Sequence, residues 1–112
     1  MTPNLKSKLL INAAIKLCFS QNIISTVISR GDENNGVIWL KILRKDNKSR
    51  LLSKYFDDNN KFAWKDVFDE HEKWQDDKVV NNRISREISY DPDLWVLEIE
   101  TETYFNPFER IL

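Results

Sequence analysis

The chain has 112 residues, of which 41% are hydrophobic and 31% charged, a balance that excludes a disordered chain and fits one domain over residues 1–112, large enough to bury about two-thirds of its unfolded surface. Its single cysteine, Cys18, and single histidine, His71, exclude an intramolecular disulfide and a four-ligand structural zinc site. Two glycines in all leave no glycine-rich phosphate loop.

Net charge is only −1, but it is unevenly spread. Residues 1–56 carry ten basic and three acidic side chains, net +7; residues 57–112 carry seven and fifteen, net −8. Such a split points either to a nucleic-acid or membrane contact, or to two halves that neutralise each other on folding. The second is the simpler expectation, because charges on a folded domain are mostly a solvated face.

The first element is a helix. Thr2 is placed to cap it, and Pro3 sits at the first helical position, where its missing N–H costs nothing. Leu5, Leu9, Ala13 and Leu17, with Leu10 and Ala14 beside them, form an apolar stripe at helical spacing. Lys6 and Lys8 ahead of this run imitate a signal peptide, but Asn12 and Lys16 interrupt it and no small-residue cleavage site follows. No run reaches the length of a membrane span. With no disulfide, the expected location is the cytoplasm.

Four strand-like segments follow, at 23–30, 37–43, 50–56 and 61–68. The stretches between them, Gly31–Gly36, Lys45–Lys48 and Asp57–Asn60, are rich in Gly, Asn and Asp, the residues that make turns. Short strands joined by short polar turns predict an antiparallel meander. Residues 37–43 are apolar on both faces apart from Lys41, which suggests a central strand. A second helix is expected from Asp69, with Asp69 and Glu72 as an acidic capping box and Trp74, Val80, Ile84 and Ile88 as its apolar stripe. Pro92 stops it. In a last strand, Trp95, Leu97 and Ile99 face one way and Leu94, Val96, Glu98 and Glu100 the other. The fold class is therefore α+β, a two-layer antiparallel β-meander plus a final strand, in the order α-β-β-β-β-α-β. The tail, residues 104–112, is too apolar to float free and is expected to dock on the core or on a partner.

Arg30-Gly31-Asp32, then Gly36 and Lys41, and Asp91-Pro92-Asp93-Leu94-Trp95-Val96 running into Glu98-Ile99-Glu100 together resemble an uncharacterised family of short bacterial proteins, domain of unknown function 1491. The resemblance runs from the first helix to Glu100 in element order and length as well as motif, and Asp-Pro-Asp-Leu-Trp is its most specific part. It implies a bacterial cytoplasmic protein. It implies no activity, and it carries over no catalytic residue.

Three chemistries remain to be weighed. Asp91, Asp93, Glu98 and Glu100 could hold a magnesium ion for a metal-dependent hydrolase, since hard cations want oxygen ligands. The lysine expected two residues beyond an acidic strand residue of such a core is missing, however: Glu100 and Glu102 stand there. Lys41, Arg44, Lys45, Lys48, Arg50 and Lys54 form a basic hairpin that could follow a phosphate backbone, with Trp39 or Tyr55 stacking on a base; the plainer reading is an edge protected by lysines. His71 and Cys18 are not brought together by the sequence, as a nucleophile and its base must be. Arg30-Gly31-Asp32 reads as a turn, with its glycines supplying unusual backbone angles, and Asn106-Pro107-Phe108 as a turn holding Phe108 against the core. Four tryptophans on two sheet faces, with two helices to cover five strands, leave room for a partner. The leading expectation is a non-catalytic binding or assembly module that self-associates or binds a protein partner, with no cofactor; nucleic-acid binding through 41–54 and a hydrolase using 91–100 are the alternatives.

Overall fold

The computed structural model describes residues 6–56, 58–59 and 61–111. Thr2, Pro3, Leu5, Asp57, Asn60 and Leu112 therefore lie outside the described residues, and with them the expected cap of the first helix.

Helix α1 (Ser7–Ser20) buries Leu10, Ile11, Ala14 and Cys18. This stripe is rotated by about a residue from the expected one, and Leu9 is exposed. The helix ends in a Schellman motif: Asn22 takes a left-handed φ of 60°, Ile23 N donates to Cys18 O at 2.8 Å and Asn22 N to Phe19 O at 3.1 Å. These bonds satisfy carbonyls that the helix end would otherwise orphan.

Strands β1 (Ser25–Ser29), β2 (Ile38–Leu43), β3 (Lys48–Phe56), β4 (Phe62–Asp66), a two-residue β5 (Gln75–Asp76) and β6 (Trp95–Glu100) form one mixed sheet in the order β1-β6-β2-β3-β4, with β5 alongside β3. The expected meander holds for β2, β3 and β4, which pair antiparallel in succession. The β2–β3 turn places Asn47 at φ 59°, the left-handed residue that closes a short hairpin. It fails at β1, which pairs antiparallel with β6, while β6 runs parallel to β2. The reason is burial. β6 and β2 are apolar on both faces and each needs a covered, central position, so β6 enters between β1 and β2 and displaces β1 to the edge.

The expected two layers are three. Helices α1 and α3 (Pro107–Ile111) cover one face of the sheet over Ile38, Leu40, Ile42, Leu52, Trp95, Leu97 and Ile99. Helix α2 (Asp77–Tyr90) covers the other over Trp39, Leu51, Leu94 and Val96. The alternation expected along β6 is thus present, one face for each helical layer. Helix α2 begins eight residues later than expected. Glu72 accepts the Trp74 N–H at 2.9 Å in a local turn, and Gln75 and Asp76 pair with Ser49 and Lys48. Strand pairing here overrides a weak helical preference, and Trp74 packs against the α1-side core under Arg44, whose guanidinium lies 4.5 Å from the ring. No helix among the described residues is long and apolar enough to cross a membrane.

The tail docks on this chain's own core. Asn106 Oδ1 accepts the Phe108 N–H at 2.9 Å and starts α3, and Phe108 is wholly buried, stacked on Trp64 with ring centroids 5.1 Å apart. The Tyr104 hydroxyl donates to Glu109 at 2.7 Å; burial first, then this bond, push its pKa up to about 12. Phe108→Ala removes a large ring that the surrounding core cannot fully replace, and should cost about 3 kcal/mol of unfolding free energy, read as a lowered urea midpoint with an unchanged slope.

Candidate functional site

Seven of the motif positions form an interlock at one end of the sheet. Leaving β1, residues 30–37 cross the start of β6. Asp32 N donates to Asp93 O at 3.0 Å, the Trp95 indole N–H to Asp32 O at 2.7 Å, and Trp95 N to Val37 O at 2.8 Å. Ser7 Oγ donates to Gly36 O at 2.6 Å and ties α1 to the same loop. Asp32 Oδ2 accepts the Asn34 and Asn35 N–H groups, Asp91 Oδ1 accepts the Asp93 N–H, and the Arg30 guanidinium lies 5.5 Å over the Trp95 ring. Neither glycine has a positive φ, which corrects the expectation of unusual backbone angles. Both are needed for close approach: a Cβ on Gly31 or on Gly36 would overlap the Asp93 carbonyl oxygen and the Trp95 ring.

Two further motif positions meet in the interior. Lys41 lies on the α2 face of β2 with its side chain 3% exposed. Its ammonium donates to Asp77 at 2.7 Å, Glu98 at 2.8 Å and Asn81 Oδ1 at 2.8 Å. The parallel register sets Lys41 directly beside Glu98, and α2 contributes Asp77 and Asn81 one turn apart. Asp77 is held in turn by Ser49 Oγ at 3.0 Å and Asn81 Nδ2 at 3.2 Å. Burial would raise the Asp77 pKa, but the hydrogen bonds from Lys41, Ser49 and Asn81 and the Lys41 charge outweigh it and hold the carboxyl below its usual range. All three donor sites of the ammonium are thus filled.

The family described as protein of unknown function, DUF1491, matches residues 5–109. The chain belongs to the DUF1491 family. A DUF1491 protein from Caulobacter crescentus, solved in the crystal, is 23% identical with a TM-score of 0.80, over 93% of this chain and 94% of that one. A protein from A. tumefaciens, solved in solution, is 22% identical with a TM-score of 0.73, over 91% and 90%. A solution structure of a Caulobacter crescentus DUF1491 protein is 21% identical with a TM-score of 0.75, over 88% and 86%. These likenesses are in fold. Among curated proteins, none matches.

In this DUF1491 chain the basic hairpin is dispersed. Lys41 is interior. Arg44 forks onto Asp46 at 2.6 and 3.1 Å, Arg50 onto Asp66 at 2.7 and 3.0 Å while lying over Tyr104, and Lys48 faces Asp76 at 3.8 Å. Lys54 rests over the Phe62 ring, and its burial lowers its pKa. Lys45 is exposed, and its backbone N–H bonds to Glu102. The pairs of Lys41, Lys48 and Arg50 all join the basic half of the chain to the acidic half.

The acidic positions are likewise separate. Asp91 and Asp93 shape the turn before β6, Glu98 is bound to Lys41, and Glu100 is exposed at the far end of the strand. Among the described residues no group of three or more His, Cys, Asp or Glu could hold a metal ion. Cys18 is buried on the inner face of α1, which pushes its thiol pKa up, and His71 is exposed on the segment before β5. Sequence reasoning missed Ser49, Asp77 and Asn81. The available signal was Lys41 itself: a lone charge in an apolar central strand requires a buried counter-charge.

Gly31→Ala must displace backbone at Asp93, and should lower stability by about 2 kcal/mol or more in urea unfolding. For Asp77 the depressed folded pKa fixes the sign: its contribution is whole above the unfolded value near 3.8 and is lost as pH falls through the lower folded value. Asp77→Asn should cost about 2 kcal/mol at neutral pH and flatten the fall in urea midpoint below about pH 4.

Proposed function

We propose that this protein is a non-catalytic assembly module of the bacterial cytoplasm that pairs with a second copy of itself through β1. The observation that carries this reading is the contrast between the two edges of the sheet. β4 holds Lys65 and Asp66, the kind of charge that keeps an edge from adding further strands. β1 has one strand partner, β6, and residues 22–29 hold no charge. Ile24 (61% exposed) and Ile28 (45%) stand in solvent along it, and Phe19 (82%) is exposed near the end of α1.

An edge of this kind is self-complementary. Two copies related by a twofold axis would lay β1 antiparallel to β1, satisfy each other's outward N–H and C=O groups, and bring the apolar side chains of each edge against the other. The register irregularity between Val27 and Ser29 confines regular pairing to the first part of the strand. A charge placed on this edge opposes its own copy across the axis.

Sedimentation velocity over a concentration series tests the reading. A reversible dimer is expected for the native chain. Ile24→Lys with Ile28→Lys, both at exposed positions, should give a monomer with an unchanged melting temperature. A native chain that stays monomeric throughout, or a dimer that survives both lysines, overturns it.

A further inference from the structure

Helix α2 does not cover the whole of its sheet face. It lies over β2, β3 and β6, and the part of the face towards β4 is open. There a cleft of about 680 Å³ is bounded by Arg83 on α2, by Trp39 and Ser53 on the sheet floor, by Lys65 on β4, and by Asp69 and Lys73 on the segment before β5. Its volume lies within the range of about 300–1,000 Å³ usual for small-molecule sites.

The charges around this cleft differ from those of the hairpin. Lys41, Arg44, Lys48 and Arg50 each face a carboxylate. Among the described residues Lys65 and Lys73 face none, although Lys65 lies 5.3 Å from the Tyr55 ring. Asp66 also borders the cleft, but its carboxylate is engaged by Arg50, which leaves Asp69 as the free carboxylate of the lining. Arg83 is held in place: its guanidinium lies 5.0 Å over the Trp39 ring and bonds Glu87 through one nitrogen at 2.8 Å. The remaining guanidinium N–H groups are not taken up by other side chains among the described residues, and neither is the Ser53 hydroxyl.

Two unpaired ammoniums, a guanidinium shared with Glu87 and a hydroxyl around one concavity, against the one unpaired carboxylate of Asp69, form a ready anion site. The ammoniums act as point charges, and the fixed guanidinium supplies directed donors. A phosphate monoester, with a charge near −2 and three acceptor oxygens, gains most from such a set. The Arg83–Trp39 stack and Val67, which also lines the cleft, offer a planar and partly apolar surface to the rest of the molecule. We infer that this cleft binds a small phosphate-bearing molecule. A nucleic-acid strand fits less well, because the cations converge within three walls and do not extend as a stripe.

Titration of the ¹⁵N-labelled protein with adenosine 5′-monophosphate, inorganic phosphate and uncharged adenosine tests this by NMR. Saturable shifts with both phosphate probes at Ser53, Lys65, Lys73 and the Trp39 indole, and none with adenosine, are expected. Lys65→Glu with Lys73→Glu should weaken binding at least tenfold at an unchanged melting temperature. The proposal is overturned by the absence of saturable shifts with both phosphate probes, by binding that the double variant retains, or by a single-stranded RNA that binds there when neither phosphate probe does.

Discussion

The backbone pairing of β2 with β6, from Ile38 beside Trp95 to Leu43 beside Glu100, constrains everything around it. A strand inserted between β1 and β2 forces the segment joining them to cross over its start. That crossing requires residues without side chains where the chains touch, hence Gly31 and Gly36 against the Asp93 carbonyl, and it uses the Trp95 indole as a fastening to Asp32. The same register sets Lys41 beside Glu98 on the face that α2 must cover. The same insertion leaves β1 at the edge with one partner. The interlock, the buried ion network and the exposed edge are three consequences of one pairing.

Burying a lysine is unfavourable by several kcal/mol unless it is paired and hydrogen-bonded. Here two carboxylates and an amide fill its three donor directions, so the desolvation of Lys41 is offset, though such a network adds little net stability over a well-packed apolar substitute. Its consequence is specificity. A one-residue slip of β2 against β6 would turn Lys41 towards Leu10 and Ile11 on the α1 side, where no counter-charge waits among the described residues. The network also sets the height and rotation of α2, because Asp77 and Asn81 reach Lys41 only when the N-terminal end of the helix sits over β2.

What could be read from the chain was local. Turn residues, the two faces of β6, the central character of residues 37–43 and the apolarity of the tail all follow from periodicity and composition, and each corresponds to a feature of the fold. The place of β6 could not be read in this way, since pairing between residues 57 positions apart depends on which strands most need covering on both sides. Phasing the second helix from Asp69 hid Asp77 and Asn81. Counted from Asp77, residues 77, 81, 84 and 88 share one face, two polar and then two apolar, which is the pattern required above a buried ammonium followed by an apolar core. The cleft was illegible for a different reason: its cations come from β4, α2 and the segment between them, and no stretch of sequence gathers them.

The uneven charge of the chain has a physical account in which part of the contrast cancels internally. Lys41, Lys48 and Arg50 from the basic half meet Asp77, Glu98, Asp76 and Asp66 from the acidic half, so part of the charge segregated along the chain is matched in space. The two candidate surfaces stand apart from these pairs in opposite ways, β1 by having no charge and the cleft by holding Lys65 and Lys73, which face no carboxylate among the described residues. They sit towards opposite ends of the strand order β1-β6-β2-β3-β4, with β6, β2 and β3 between. Pairing through β1 would therefore place the two clefts of a dimer at its outer ends, facing solvent and far from the twofold axis. Assembly would neither close the clefts nor borrow residues from them, and an anion bound in one would act on the dimer only through the sheet. Lys41 is one physical link on that route, since it joins α2, a wall of the cleft, to Glu98 on β6, the strand that carries β1, beside the apolar core that α2 shares with Leu94 and Val96.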